Sequence, residues 1–168
     1  MIDSDFRARL ADFSLVTLIS DQESFLTSCV EGGTARWMGP ELLDPKGFGL
    51  SKRHPTRESD CYALGMVVYE ILSGHAPFNE CSPGATIVKV LHGERPGRPQ
   101  GKGGKLFTNG IWDMVERCWK HTPADRARAK DALRCLEEAP PLSRPASPGM
   151  DVDVGPDSDG YPDTSSDF

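Results

Sequence analysis

The chain has 168 residues, 38% of them apolar, and a formal net charge of -6, which is enough for one compact domain around one core and outside the compositional range of a disordered chain. Residues 139–168 hold six Asp, one Arg and no Lys or Glu, so -5 of that charge belongs to them and the first 138 residues carry -1; that balance gives no strong basic field to recruit nucleic acid. The longest mainly apolar run, near Ala63–Leu72, is far short of the roughly 20 residues of a membrane span, and MIDSDFRARL has no apolar leader core, so a soluble, cytoplasmic protein with no membrane partner is expected.

In chain order, RARLADF over Arg7–Phe13 alternates at the period of a short strand that ends at Asp12. Ser14 to Gly33 mixes an apolar patch with Ser20, Ser24, Thr27 and Ser28 and reads as a long hydroxyl-rich loop. Thr34–Leu43 carries Pro40 at a position that suits the first residue of a short helix, where its missing N–H costs nothing. Asp44–Pro55 reads as a further loop. Asp60–Ser73 is apolar on nearly every face, with Ser59 as N-cap and Gly74 just past the end; a helix of that kind belongs in a core.

Ser82-Pro83 starts a second helix over 84–92, and GERPGRPQGKGGK (93–105) is too rich in Gly and Pro for regular structure. Asn109 can cap a helix over 110–120. A last helix near 128–138 is expected to pack through Ala129, Ala132, Leu133 and Leu136. Residues 139–168, rich in Pro, Ser, Gly and Asp, bury too little apolar surface to offset chain entropy and are expected to be disordered. Five cysteines with no C-x-x-C spacing read as reduced thiols, with Cys61, Cys118 and Cys135 inside apolar runs. The four histidines have no metal-ligand spacing, so no zinc site is expected.

Four stretches resemble, in order, the motifs of the C-terminal lobe of a eukaryotic protein kinase domain. Ala11-Asp12-Phe13-Ser14 resembles D-F-G, and Gly33-Thr34-Ala35-Arg36-Trp37-Met38-Gly39-Pro40-Glu41 resembles the stretch that closes the activation segment. Ser59-Asp60-Cys61-Tyr62-Ala63-Leu64-Gly65, running to Pro77-Phe78, resembles the central helix of that lobe. Arg117-Cys118-Trp119 with Pro123-Ala124-Asp125-Arg126 resembles the C-W-x-x-x-P-x-x-R-P element. The wording is that of the tyrosine-kinase-like branch, whose members mostly phosphorylate Ser and Thr.

The resemblance implies a mainly α, α+β-family fold: a partial kinase domain over residues 1–138 with short N-terminal strands, an activation segment and a helical bundle, then an acidic tail over 139–168. It implies ATP and Mg²⁺ as cofactors, because phosphoryl transfer depends on neutralising the nucleotide's phosphates. Asp12 would be the Mg²⁺-holding carboxylate; an Asp ending a strand is otherwise a common turn former. Gly33, Thr34 and Trp37 would position substrate, Glu41 and Arg126 would form a buried ion pair, and Asp60 would receive backbone N–H groups of the catalytic loop. Without the resemblance, Thr34 is an ordinary loop hydroxyl and Asp60 a surface carboxylate in a first helical turn.

Ser20, Ser24, Thr27 and Ser28 stand where activating phosphates occur in the family, exposed hydroxyls being their plain reading. No Gly-rich loop, strand Lys or H-R-D-x-x-x-x-N element occurs in the 168 residues, and Ser14 replaces the Gly of D-F-G, Gly39 an Ala and Ala127 a Pro. No residue of this chain is therefore assigned as the catalytic base. The expected function is a member of the protein kinase family acting on protein Ser/Thr, represented by a lobe inactive on its own; the alternative is a non-catalytic, pseudokinase-like module that binds protein partners.

Overall fold

A computed structural model of the chain describes Asp3, Ser4, Asp5, Arg7, Arg9 and residues 33–139. The predicted strand end at Asp12, the hydroxyl-rich segment and the acidic tail lie outside the described residues, which contain helices and no β-strand. Thr34–Leu43 is two elements, a 3-10 turn Thr34–Trp37 and the helix α1 Pro40–Leu43, with Pro40 in its first turn. A second 3-10 turn, Lys46–Phe48, breaks the loop that follows.

The central helix, α2, spans Arg57–Ser73 and begins three residues before the position expected from Ser59. Thr56 takes the N-cap with extended backbone. Its hydroxyl accepts the Ser59 N–H at 3.2 Å, while Ser59 Oγ accepts the Thr56 N–H at 2.8 Å. This reciprocal capping box puts Ser59 at the third helical position instead of the cap. Gly74 ends α2 at φ 79°, a left-handed conformation that glycine adopts without a Cβ clash.

Helix α3 spans Pro83–Leu91, capped by Ser82 through the Ala85 N–H. A short helix α4, Gly101–Gly104, forms within the Gly/Pro-rich stretch expected to be irregular. Helix α5 spans Asn109–Cys118, and its cap is Thr108, whose hydroxyl accepts the Ile111 N–H at 3.2 Å, so Asn109 lies inside the helix. A 3-10 turn Pro123–Asp125 leads to α6, Ala129–Glu138.

The core is built on the crossing of α2 and α5. A Cβ at Gly65 would lie 2.9 Å from Cys118 Cβ, so the glycine is what lets the two backbones approach. Tyr69, Phe107, Trp112 and Trp119 extend the contact as a chain of tilted and edge-on rings 5.6–5.9 Å apart. Cys61 and Cys118 are buried free thiols, whereas Cys135 is only half-buried.

Two packing expectations change. On α6 the buried residue is Ala132, with Cys135 and Ala139 partly buried beside it, while Leu133 is 56% exposed and Leu136 also faces solvent. The small side chains bring α6 close to α5 and turn the leucines outward. Helix α2 is not buried all round either, since Val67 and Ile71 are exposed, Ile71 at 68%. Together with half-buried Leu64 they form an apolar stripe at helical spacing. Replacing both Val67 and Ile71 by Gln is expected to lower concentration-dependent self-association, measured by light scattering, without lowering the melting temperature. A matching fall in melting temperature would place these side chains in the core.

Candidate functional site

Residues 33–43, the Thr34–Trp37 turn and α1, are anchored at both ends. Gly33 at φ 73° turns the chain into the Thr34–Trp37 turn, where Ala35 is fully buried. Arg36 reaches across to the loop after α2. Its Nη1 donates to the carbonyls of Pro77 (2.9 Å) and Phe78, and its Nη2 to the Cys81 carbonyl at 2.7 Å. Thr86 Oγ1 accepts a further bond at 3.3 Å. Trp37 Nε1 donates to Glu70 Oε2 on α2 at 3.0 Å. One end of the segment is therefore tied to α2 and to the loop leading to α3.

The other end is held by an ion pair. Arg126 Nη1 donates to Glu41 Oε1 at 2.7 Å and Nη2 to Oε2 at 2.6 Å, with the side chains 0% and 3% exposed. The remaining donors go to main-chain carbonyls: Nε to Lys120 at 2.9 Å, Nη1 to Glu58 at 2.9 Å and Nη2 to His121 at 3.3 Å. All five guanidinium N–H groups are thus engaged, the condition under which a buried ion pair is tolerated. A Cβ at Gly39 would lie 2.7 Å from both carboxylate oxygens of Glu41, so this glycine leaves the space in which the carboxylate turns toward Arg126. Arg53 adds a bond from its Nε to the Leu42 carbonyl at the end of α1.

Around the pair, the guanidinium groups of Arg126 and Arg95 each lie 5.0 Å from the Tyr62 ring centroid. The Tyr62 hydroxyl is buried with no hydrogen-bond partner among the described residues, and desolvation pushes its pKa up to about 12. Burial, with the two nearby arginines adding to it, lowers the pKa of His121 and favours its neutral form.

Of the residues singled out in the sequence, the structure joins Glu41 to Arg126 and ties Trp37 to α2. Gly33 and Thr34 lie half-buried at the start of the same segment, and Asp60 is exposed in the first turn of α2, apart from the pair. Asp12, Ser20, Ser24, Thr27 and Ser28 lie outside the described residues. Among the described residues no group of three His, Cys, Asp or Glu side chains is placed to hold a metal ion, and no helix is long and apolar enough to cross a membrane. Arg36, Arg53 and Arg95 were not picked out individually. Arg36 carried one usable signal, a cation set between an alanine and a tryptophan in an apolar segment.

This arrangement is a helical lobe that fixes an irregular segment against itself through a buried carboxylate–guanidinium pair. Residues 1–136 match the family model described as protein tyrosine and serine/threonine kinase, and the chain belongs to that family. It is 28% identical over 139 residues to serine/threonine-protein kinase STY46 of Arabidopsis thaliana, covering 82% of this chain and 22% of that protein. It is 27% identical over 159 residues to serine/threonine/tyrosine-protein kinase HT1 of the same plant, covering 88% and 36%. To cytoplasmic tyrosine-protein kinase BMX of Mus musculus it is 26% identical over 138 residues, covering 82% and 19%. The matched region thus spans between about a fifth and about a third of each of these relatives.

Proposed function

We propose that the chain is the C-terminal lobe of a protein kinase that transfers phosphate from ATP to Ser and Thr of protein substrates. In this reading residues 12–41 are the activation segment, Asp12 holds Mg²⁺ of the bound nucleotide, and Gly33, Thr34 and Trp37 form the shelf that receives the substrate chain. Asp60 receives N–H groups of a catalytic loop, and Ser20, Ser24, Thr27 and Ser28 are candidate regulatory phosphosites. The observation that carries this reading is the Glu41–Arg126 clasp, which with the Trp37–Glu70 and Arg36 bonds holds the shelf in one position. A shelf rigid in advance lowers the ordering cost of substrate placement.

The 168 residues are proposed to be inactive by themselves, because the Lys that holds the nucleotide and the Asp that orients the substrate hydroxyl are not among the motifs found in them. The expected result is no transfer from Mg²⁺-ATP to a mixed protein substrate above an Asp12→Ala control. Joined to the phosphate-binding lobe and catalytic loop of an active kinase of the same branch, the chain is expected to phosphorylate Ser and Thr, with loss of activity on Asp12→Ala. Transfer by the 168 residues alone above the control, or a folded and active fusion indifferent to Asp12→Ala, contradicts the reading. The stripe of exposed Val67 and Ile71 beside half-buried Leu64 favours a second reading, a non-catalytic module that binds a protein partner. A folded fusion with no transfer at all would favour it.

A further inference from the structure

The turn formed by residues 93–105 concentrates positive charge. Arg95, Arg98, Lys102 and Lys105 face one acidic residue in sequence, Glu94, and Glu94 is already paired with Lys89 at 3.3 Å. Among the described residues no carboxylate lies within ion-pair distance of Arg95, Arg98 or Lys105.

The turn is held rigidly against α5. Arg95 Nε donates to the Trp119 carbonyl at one end of the helix at 2.8 Å. At the other end Arg98 donates from Nη1 to Asn109 Oδ1 at 2.9 Å and from Nη2 to the Phe107 carbonyl. A Cβ at Gly104 would lie 2.2 Å from the Pro99 carbonyl oxygen, so the turn closes on itself only with glycine there. Between its arms lies a cleft of about 330 Å³ lined by Arg98, Pro99, Gln100, Gly101, Gly104 and Lys105, with no carboxylate in its wall.

The opposite charge leaves the lobe at the same end. Cys135 on α6 donates to the Gly110 carbonyl at 3.3 Å, and Ala139 packs against the core. Ala139, the last described residue, therefore lies within roughly one to two helical turns of the α5 start, where Arg98 is bonded. Residues 140–168 carry six Asp against Arg144, a net charge of -5. Eleven residues lie between Ala139 and the first of them, Asp151, a reach of up to about 40 Å, which exceeds the roughly 13 Å radius of gyration of a domain this size.

We propose that the acidic segment 140–168 docks on the cationic turn of the same chain, its aspartates lying against Arg98 and Lys105 in the Gly104 cleft. This inference is independent of the kinase reading and does not involve the Glu41–Arg126 pair.

A zero-length carbodiimide coupling on the full chain, read by mass spectrometry of the monomer fraction, tests it, because an amide forms only where a carboxylate already touches a lysine amine. At low salt, links from Asp151–Asp167 to Lys102 and Lys105 are expected to exceed those to exposed Lys46, Lys52, Lys120 and Lys130 by about fivefold or more, and to collapse in 1 M NaCl, where screening acts within about 3 Å. In parallel, the amide NMR signals of Gln100–Lys105 are expected to shift when all six tail aspartates are replaced by Asn. Links spread evenly over the lysines, links only between two chains, links that survive 1 M salt, or unmoved amide signals would each overturn the proposal.

Discussion

Arg126→Ala is expected to destabilise the chain by about 3–5 kcal/mol, because it leaves the Glu41 carboxylate buried without its cation. It also removes the donors now engaged by the carbonyls of Glu58, Lys120 and His121, and the cation beside the Tyr62 ring. Lys120→Ala is the matched control. Its side chain is exposed, and the carbonyl that accepts from Arg126 survives the change, so the expected loss is within about 0.5 kcal/mol. Urea unfolding of both variants checks the contrast, and similar losses would mean that the pair stabilises nothing.

A second large effect is expected at alkaline pH. Burial raises the Tyr62 phenol from 10.0 to about 12 and the Cys118 thiol from 9.0 to about 11. Both groups are neutral when protonated, so below pH 9 they are protonated in folded and unfolded chains alike and contribute no pH dependence. Above pH 9 for Cys118, and above pH 10 for Tyr62, the unfolded chain releases a proton that the folded chain still holds. Stability therefore falls progressively between pH 9 and pH 12. At about 1.4 kcal/mol per pKa unit, each group asks for a loss on the order of 2–3 kcal/mol across its window.

Tyr62→Phe is expected to flatten the part of the fall between pH 10 and 12. At pH 7 it is expected to be neutral or slightly stabilising, because the hydroxyl it removes has no partner among the described residues. Urea midpoints at pH 8 and pH 11 read both effects. Equal midpoints for the parent chain, or an unchanged fall in Tyr62→Phe, would contradict the buried placement of these groups.

The helix order and the central place of the Asp60–Ser73 region were legible because each rests on local chemistry, an apolar run between a cap and a glycine being a helix wherever it sits. The Glu41–Arg126 pair was legible only through the resemblance to the kinase family, since nothing local joins two residues 85 positions apart. Three things were not legible. The start of α2 was misplaced because Thr56 and Ser59 are both good caps, and the choice depends on a reciprocal bond that only the folded backbone shows. The buried side of α6 is narrower than expected, since of Ala129, Ala132, Leu133 and Leu136 only Ala132 is buried, closeness to α5 admitting a small side chain there and turning the leucines and Ala129 outward. The arginines that tie loops together, Arg36, Arg95 and Arg98, donate to main-chain carbonyls far along the chain, and a carbonyl acceptor has no signature in a sequence.

These anchors share a physical logic. Each guanidinium presents several donors in one plane, so one side chain can satisfy several carbonyls that would otherwise lack partners. In this lobe Arg36 and Arg126 hold the two ends of the 33–43 segment, and Arg95 and Arg98 fix the 93–105 turn to the two ends of α5.

A double-mutant cycle across Glu41→Ala and Arg126→Ala, read by urea unfolding, measures the clasp directly. If the pair holds the segment as described, each single variant loses about 3–5 kcal/mol and the double variant loses no more than the worse single. Losses that add to within about 0.5 kcal/mol would show that the two side chains do not act on each other, and the segment would then be held by something other than this pair.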